Sequence, residues 1–250
     1  MSAISDLLKN AGNFLLSLLY PEKCIVCGRI TESGAYVCSA CSSIFSFIDP
    51  DKRCPYCGKE KSECDCKLRV HRFKEVAAVF RYEGAARRAV FSFKLLNRSH
   101  YANFFAEAMA ENILNVYKDV SPDVICYVPT SRRNRVKRGF DQAELLALKI
   151  SKILKIPMAR ALKVAKDTAD QHKTDNFKKR LENSRGKYLC SMPLDGKTVL
   201  LIDDVMTTGA TLDDCTRALM FAGAEEVYCA VAAVTVLPKE ASNNLKTAKK

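Results

Sequence analysis

The chain has 250 residues, 48% of them hydrophobic, enough for one medium domain and a small one around a true core. No apolar run approaches the roughly 20 residues of a membrane-crossing helix, so no transmembrane span is expected. A formal net charge of +12 favours anionic partners: pyrophosphate, nucleotides or nucleic acid.

Between Ile4 and Tyr20 the residues Ile4, Leu7, Leu8, Ala11, Phe14, Leu15 and Leu18 recur at helical spacing, which predicts an amphipathic helix. Asp6 stands before the apolar part and no small-residue cleavage site follows, which weighs against a signal peptide. Eight of the twelve cysteines then fall between Cys24 and Cys66. They read Cys24-x2-Cys27, Cys38-x2-Cys41, Cys54-x2-Cys57 and Cys64-x-Cys66. Paired thiols at this spacing grip one side of a tetrahedral ion, and two pairs complete a site. Gly28 and Gly58 follow two of the pairs and suit the tight turn of a zinc knuckle. Two structural Zn2+ sites are expected, since disulfides would need a secretory context. The grouping is either sequential, Cys24/Cys27/Cys38/Cys41 and Cys54/Cys57/Cys64/Cys66, or interleaved. With thiolates at all four positions, neither ion has room for a substrate.

Val76–Tyr82 reads as a strand ended by Glu83-Gly84, and helices follow over 85–96 and 101–117. Asp123–Val128 is a buried strand closed by Pro129. Next comes Thr130-Ser131-Arg132-Arg133-Asn134-Arg135-Val136-Lys137-Arg138-Gly139-Phe140, read as a basic loop that can grip a polyphosphate at a strand end. A helix over 141–154 has Leu145, Leu146, Leu148 and Ile153 as its expected apolar side. Residues 165–187 are polar without a lasting apolar period and read as an active-site lid with a short helix near 176–184. Residues 132–187 hold seventeen Lys/Arg against six Asp/Glu, so nearly all of the net charge sits there. Phe140 and Phe177, with Tyr188 just beyond, are the few aromatic residues here, which suggests single-stranded DNA binding by charge with little sequence preference. Cys126, Cys215 and Cys229 fit as small buried hydrophobes.

The most informative run is Val199-Leu200-Leu201-Ile202-Asp203-Asp204-Val205-Met206-Thr207-Thr208-Gly209-Ala210-Thr211. Four aliphatic residues predict a strand buried on both faces. Two carboxylates stand at its end, where α/β proteins bind ligands. Small residues then lead to a helix patterned by Leu212, Cys215, Leu219 and Met220, whose N-terminus favours a phosphate. Carboxylates suit hydroxyls, or a metal ion that hydroxyls share. A ribose 5-phosphate carries both halves. Gly196-Lys197-Thr198 is not a phosphate-binding P-loop, because Ser191 stands where that motif needs glycine. A last buried strand spans 227–236, and the tail from Lys239 is polar.

The thirteen-residue run resembles the phosphoribosyl pyrophosphate (PRPP) motif of type I phosphoribosyltransferases. The chain as a whole resembles the ComF family. The resemblance rests on Pro21 before the first cysteine, the double zinc ribbon, and Arg81-Tyr82-Glu83-Gly84 with Lys94 downstream. It rests further on Val128-Pro129, Arg138-Gly139-Phe140-Asp141-Gln142-Ala143, and Thr168, Gln171, Arg180 and Asn183. It departs from the family pattern at Val164-Ala165-Lys166, at Thr174 and in the Gln171–Arg180 spacing. The resemblance implies a type I phosphoribosyltransferase fold, a parallel sheet flanked by helices, over 74–238. The zinc ribbon with its leading helix would occupy 1–73, and a tail 239–250. Asp203 and Asp204 would fix the ribose hydroxyls with Mg2+, and thereby act in catalysis. Val205, Met206, Thr207, Thr208, Gly209, Ala210 and Thr211 would hold the 5-phosphate. Pro129, Thr130, Ser131, Arg132 and Lys94 would complete the PRPP site. The implied chemistry is displacement of pyrophosphate by an unnamed acceptor, in a cytoplasmic protein that handles incoming single-stranded DNA alongside competence proteins such as a DNA-uptake helicase. A reading from another class is a DNA-binding accessory whose PRPP pocket acts as a sensor or not at all. His71, His100 and His172 lie outside the motifs, and no general base stands out.

Overall fold

Continuous apolar runs with alternate residues buried on opposite faces build a four-stranded parallel sheet. The computed structural model describes residues 21–64, 66, 71–95, 99–165 and 186–236. The expected helix over 4–20, the lid segment with Thr168, Gln171, Arg180 and Asn183, His172 and the tail lie outside the described residues. The elements run β1 (Val76–Arg81), α1 (Gly84–Leu95), α2 (Ala102–Val116), β2 (Val124–Tyr127), α3 (Arg132–Arg138), α4 (Gln142–Leu154), β3 (Leu162–Val164), β4 (Tyr188–Cys190), β5 (Thr198–Met206), α5 (Ala210–Phe221) and β6 (Glu226–Val234). The sheet order is β1-β6-β5-β2, and β3 and β4 form a separate antiparallel pair.

One core contains Ala77, Val79, Ile125, Leu200, Ile202 and Ala230 with residues of α1, α2 and α4. The other contains Val76, Ala78, Cys126, Val199, Leu201 and Val231 with Leu212, Cys215 and Leu219 of α5. Cys126, Cys215 and Cys229 are buried free thiols, as their apolar settings predict, and Cys190 is buried as well.

The cysteine-rich segment shares both cores. Cys24, Ile25, Val26 and Cys41 belong to the first, and Ile48, Cys54 and Cys57 to the second. Between them the chain runs along the outer edge of β1, where Ile48 N donates to Val79 O at 2.9 Å and Arg81 N to Ser46 O at 2.8 Å. That covers a sheet edge whose backbone groups would otherwise lack partners. Arg53, its side chain 8% exposed, reaches Val76 O at 2.8 Å and Glu75 Oε2 at 2.7 Å. The ribbon segment thus supplies part of both cores of the sheet.

Three local expectations change. The basic run after Thr130 is not all loop: Arg132–Arg138 is helical. Ser131 Oγ accepts from Asn134 N and Gly139, at φ 79°, closes the C-terminus, so the run carries its own caps. On α4 the buried stripe is Ala143, Leu146, Ala147 and Ile150, while Leu148 and Ile153 face outward, because α2 packs close and favours small side chains. On α5, Met220 is exposed, and Thr216 and Ala218 join Leu212, Cys215 and Leu219 inside.

Candidate active site

The two aspartates owe their position to unequal strand lengths. β6 accompanies β5 as far as Met206, opposite Val234, but β2 ends at Tyr127, opposite Ile202. Asp203 and Asp204 therefore belong to β5 itself, not to the loop after it, and rise past the end of β2. Asp203 Oδ1 accepts the Asp204 N–H at 2.8 Å. Lys94, in the last turn of α1, places Nζ 2.7 Å from Asp204 Oδ2. Desolvation first, and then the neighbouring Asp204 carboxylate, push the Asp203 acid well above the ordinary carboxylate range; the Asp204 N–H and Lys94 act against that rise. Such a pair is short of positive charge, and a divalent ion or a diol donating hydrogen bonds would satisfy it. The donor set fits Mg2+, a hard ion that takes one or two carboxylates beside a substrate phosphate.

Facing the aspartates is the turn after β2. Asp141 Oδ2 accepts Thr130 N at 2.8 Å, while its Oδ1 caps α4 through Ala143 N and Glu144 N. One side chain thus fixes both the turn and the helix behind it. Lys94, Pro129, Thr130, Ser131, Asp203 and Asp204 share a cavity of about 170 Å3. Arg132 instead lines a neighbouring cavity of about 690 Å3, with Arg135, Arg160 and Lys163. Glu144 holds Arg160 at 2.6 Å and Arg135 at 3.3 Å. Val205–Thr211 line neither cavity and continue beyond the aspartates. Thr207, Thr208, Ala210 and Thr211 are exposed around buried Gly209, which takes φ 81° and caps α5. The loop thus presents accessible small residues at a helix N-terminus.

Sequence reasoning did not assign Asp141, Glu144, Arg160 or Lys163 a part in the site. Asp141 with Glu144 three residues on was a readable helix-start signal. Arg160 and Lys163 carry no motif; only the fold brings them beside Arg132. His71 stays outside the cavities but touches the loop: a Cβ on Gly209 would lie 2.9 Å from its Cε1.

The eight cysteines form two separate clusters in sequential order, Cys24, Cys27, Cys38 and Cys41, then Cys54, Cys57, Cys64 and Cys66, with ligand atoms within 4.8 Å of one another. Zn–S bonds of about 2.3 Å in a tetrahedron place sulfurs ~3.8 Å apart. Cys27 and Cys38 Sγ are 3.8 Å apart. Burial first, and then the Cys38, Cys27 and Cys24 thiols, push Cys41 up to about 12.

Residues 15–70 match the double zinc ribbon domain family, and residues 140–248 match the phosphoribosyl transferase domain family. The chain joins a double zinc ribbon to a phosphoribosyltransferase domain. Its homologues extend over most of its length. DNA utilization protein YhgH of Escherichia coli K12 is 26% identical over 85% of this chain and 97% of that protein. Competence protein ComFC of Streptococcus pneumoniae R6 is 29% identical over 82% and 96%. ComFC of Bacillus subtilis 168 is 26% identical over 75% and 79%. A solved purine phosphoribosyltransferase from Pyrococcus horikoshii overlays 55% of this chain and 78% of its own, at 24% identity and a TM-score of 0.34. The carboxylate pair and the exposed loop of the phosphoribosyltransferase domain stand at the C-terminal edge of its parallel sheet, where such sheets bind ligands. Among the described residues no helix is long and apolar enough to cross a membrane.

Proposed function

We propose that this protein binds Mg-PRPP and transfers its phosphoribosyl group to an acceptor, in the cytoplasmic handling of single-stranded DNA. The observation that carries the reading is the carboxylate pair Asp203–Asp204 set between the Thr130 turn and the phosphate-binding loop, with Lys94 2.7 Å from Asp204. The separation of functions follows from charge. Hydroxyls of ribose face the carboxylates, the 5-phosphate faces the N–H groups of 207–211, and the pyrophosphate faces Lys94 and the turn at 129–132. Mg2+, when bound, would neutralise charge on the departing pyrophosphate. The chain's own residues hold the sugar so that the bond from its anomeric carbon to pyrophosphate points toward the cationic side. As that bond breaks, positive charge grows on the sugar beside Asp203 and Asp204, and the acceptor's lone pair forms the new bond. Among the described residues no histidine lines either cavity; the acceptor's proton goes to a lining carboxylate, to solvent or to the leaving group. Incubating the protein with Mg-PRPP and single bases, nucleosides and oligonucleotides should release pyrophosphate with one of them. PRPP binding without release for any acceptor would leave the sensor reading in its place.

A DNA-binding role has its own support. Arg132, Arg135, Arg160 and Lys163 line one wall beside the PRPP cavity, and the names of the relatives refer to DNA utilization and competence. A strand held there would meet cations before it meets aromatic rings, so binding should fall steeply with salt: about 0.7 log units per log unit of salt for each phosphate neutralised. Replacing Arg132, Arg135, Arg160 and Lys163 with Ala should weaken oligonucleotide binding and flatten that slope. An unchanged slope and affinity would place the DNA elsewhere.

A further inference from the structure

The carboxylate of Asp213 stands in the first turn of α5, four residues after Gly209, and it is tied to a segment 141 residues away. Its Oδ1 accepts the backbone N–H of Arg72 at 2.6 Å, and its Oδ2 pairs with the Arg72 guanidinium. The His71 ring is held beside it, Nδ1 4.0 Å from Oδ1, with its side chain 7% exposed. That ring stacks on Phe73, centroids 4.6 Å apart, and Phe73 is buried in the second core. The ring also lies close to Gly209. A Cβ there would come within 2.9 Å of His71 Cε1 and 2.8 Å of Met206 Cε, and Gly209 already requires φ +81°. The turn of the phosphate loop is therefore packed against the polypeptide that leaves the second cysteine cluster, five residues after Cys66.

A carboxylate at this point also poses an electrostatic problem. It suits the positive end of the helix, but it stands in the same turn that is to hold a phosphate. Pairing with Arg72 neutralises it there.

We propose that Asp213 is a positioning residue for the 5-phosphate loop, and that Arg72 and His71, leaving the zinc ribbon, are the fixed point to which it ties that loop. The inference rests on the PRPP reading for its ligand but not for its geometry. Loss of Asp213 frees the first turn of α5 and leaves the pyrophosphate side, around Thr130 and Asp141, untouched.

Two measurements test this. Hydrogen exchange of the amides at 213–215, which bond back to residues 209–211 and close the loop onto α5, reads the clamp directly in the ligand-free protein. Asp213→Ala should speed exchange of these amides by about tenfold, a shift of one decade in the opening equilibrium, while Asp213→Asn, which can still accept the Arg72 N–H, should change it less. Calorimetry with Mg-PRPP and with Mg-pyrophosphate reads the consequence: Asp213→Ala should weaken PRPP about tenfold and leave pyrophosphate unchanged. Arg72→Ala keeps the N–H bond and tests the charge alone; it too should lower PRPP affinity more than pyrophosphate affinity. Unchanged exchange at 213–215 in Asp213→Ala would overturn the proposal, as would an equal loss of both ligands. A wild-type protein that binds neither ligand would instead overturn the PRPP reading, while the exchange result would still decide the clamp.

Discussion

Removing zinc should cost the protein far more than its cysteine-rich segment. Ile25, Val26 and Ile48 lie 1%, 7% and 3% exposed within the two cores of the sheet. Burying an aliphatic side chain of this kind contributes about 1.5–3 kcal/mol, so the three together contribute roughly 5–9 kcal/mol. A whole domain is stable by only about 5–15 kcal/mol. The segment also supplies the Ser46–Ile48 bonds to β1 and the Arg53 bonds to Val76 and Glu75. Structural zinc holds such segments by an apparent ~10–16 kcal/mol, and without the ion they unfold. Chelation should therefore abolish the single calorimetric transition of the full chain and its near-UV dichroism, and added Zn2+ should restore both. A chelated protein that keeps a cooperative transition, with a protease-resistant fragment beginning near residue 74, would refute the shared core.

Lys94→Ala removes the cation from a pair whose side chains are 23% and 15% exposed. Between the values for exposed and buried pairs, the loss should be about 1–3 kcal/mol, and it should shrink in an Asp204→Asn background; equal losses in both backgrounds would deny the pairing. Asp203 gives a pH dependence of definite sign. Above the ordinary carboxylate value of about 3.9 the unfolded chain has released a proton that native Asp203 still holds, so stability falls as pH rises through the window up to its raised value. Mg-PRPP, which needs the carboxylate, should bind more tightly as pH rises through that window and release a proton, seen as buffer-dependent calorimetric heat; Asp203→Asn should erase the effect, and heat independent of buffer in the wild type would contradict it. Gly209→Ala should lower both thermal stability and PRPP affinity, because the loop would need a strained φ and a displaced His71; wild-type values for both would show that the turn has room to spare.

Much of the site was legible because its signals are local. Val199–Ile202 announced a buried strand, Asp203-Asp204 a charged end, and Gly209 a turn before a helix. The cysteine pairs announced two metal sites but left two groupings open, and the clusters take the sequential one. Two errors had readable remedies. Ser131 and Gly139 bracket a helix that basic composition disguised as loop, and Ala143 and Ala147 mark a closely packed face better than Leu148 does. The remainder depends on contacts with no local signature. Nothing near Ile48 indicates that it will pair with Val79, and nothing near Arg160 indicates a wall shared with Arg132. Arg72 and Asp213 meet across 141 residues, and only the parallel sheet, which brings the start of β1 beside β6 and α5, brings them together.

The central claim is that Asp203 and Asp204 hold the ribose of PRPP. Isothermal titration of Mg-PRPP into the wild-type protein and into the Asp203→Asn/Asp204→Asn double variant tests it most directly, with near-UV dichroism to confirm that the variant is folded. The account predicts saturable binding to the wild type and none to the folded variant. Undiminished affinity in the variant would contradict it.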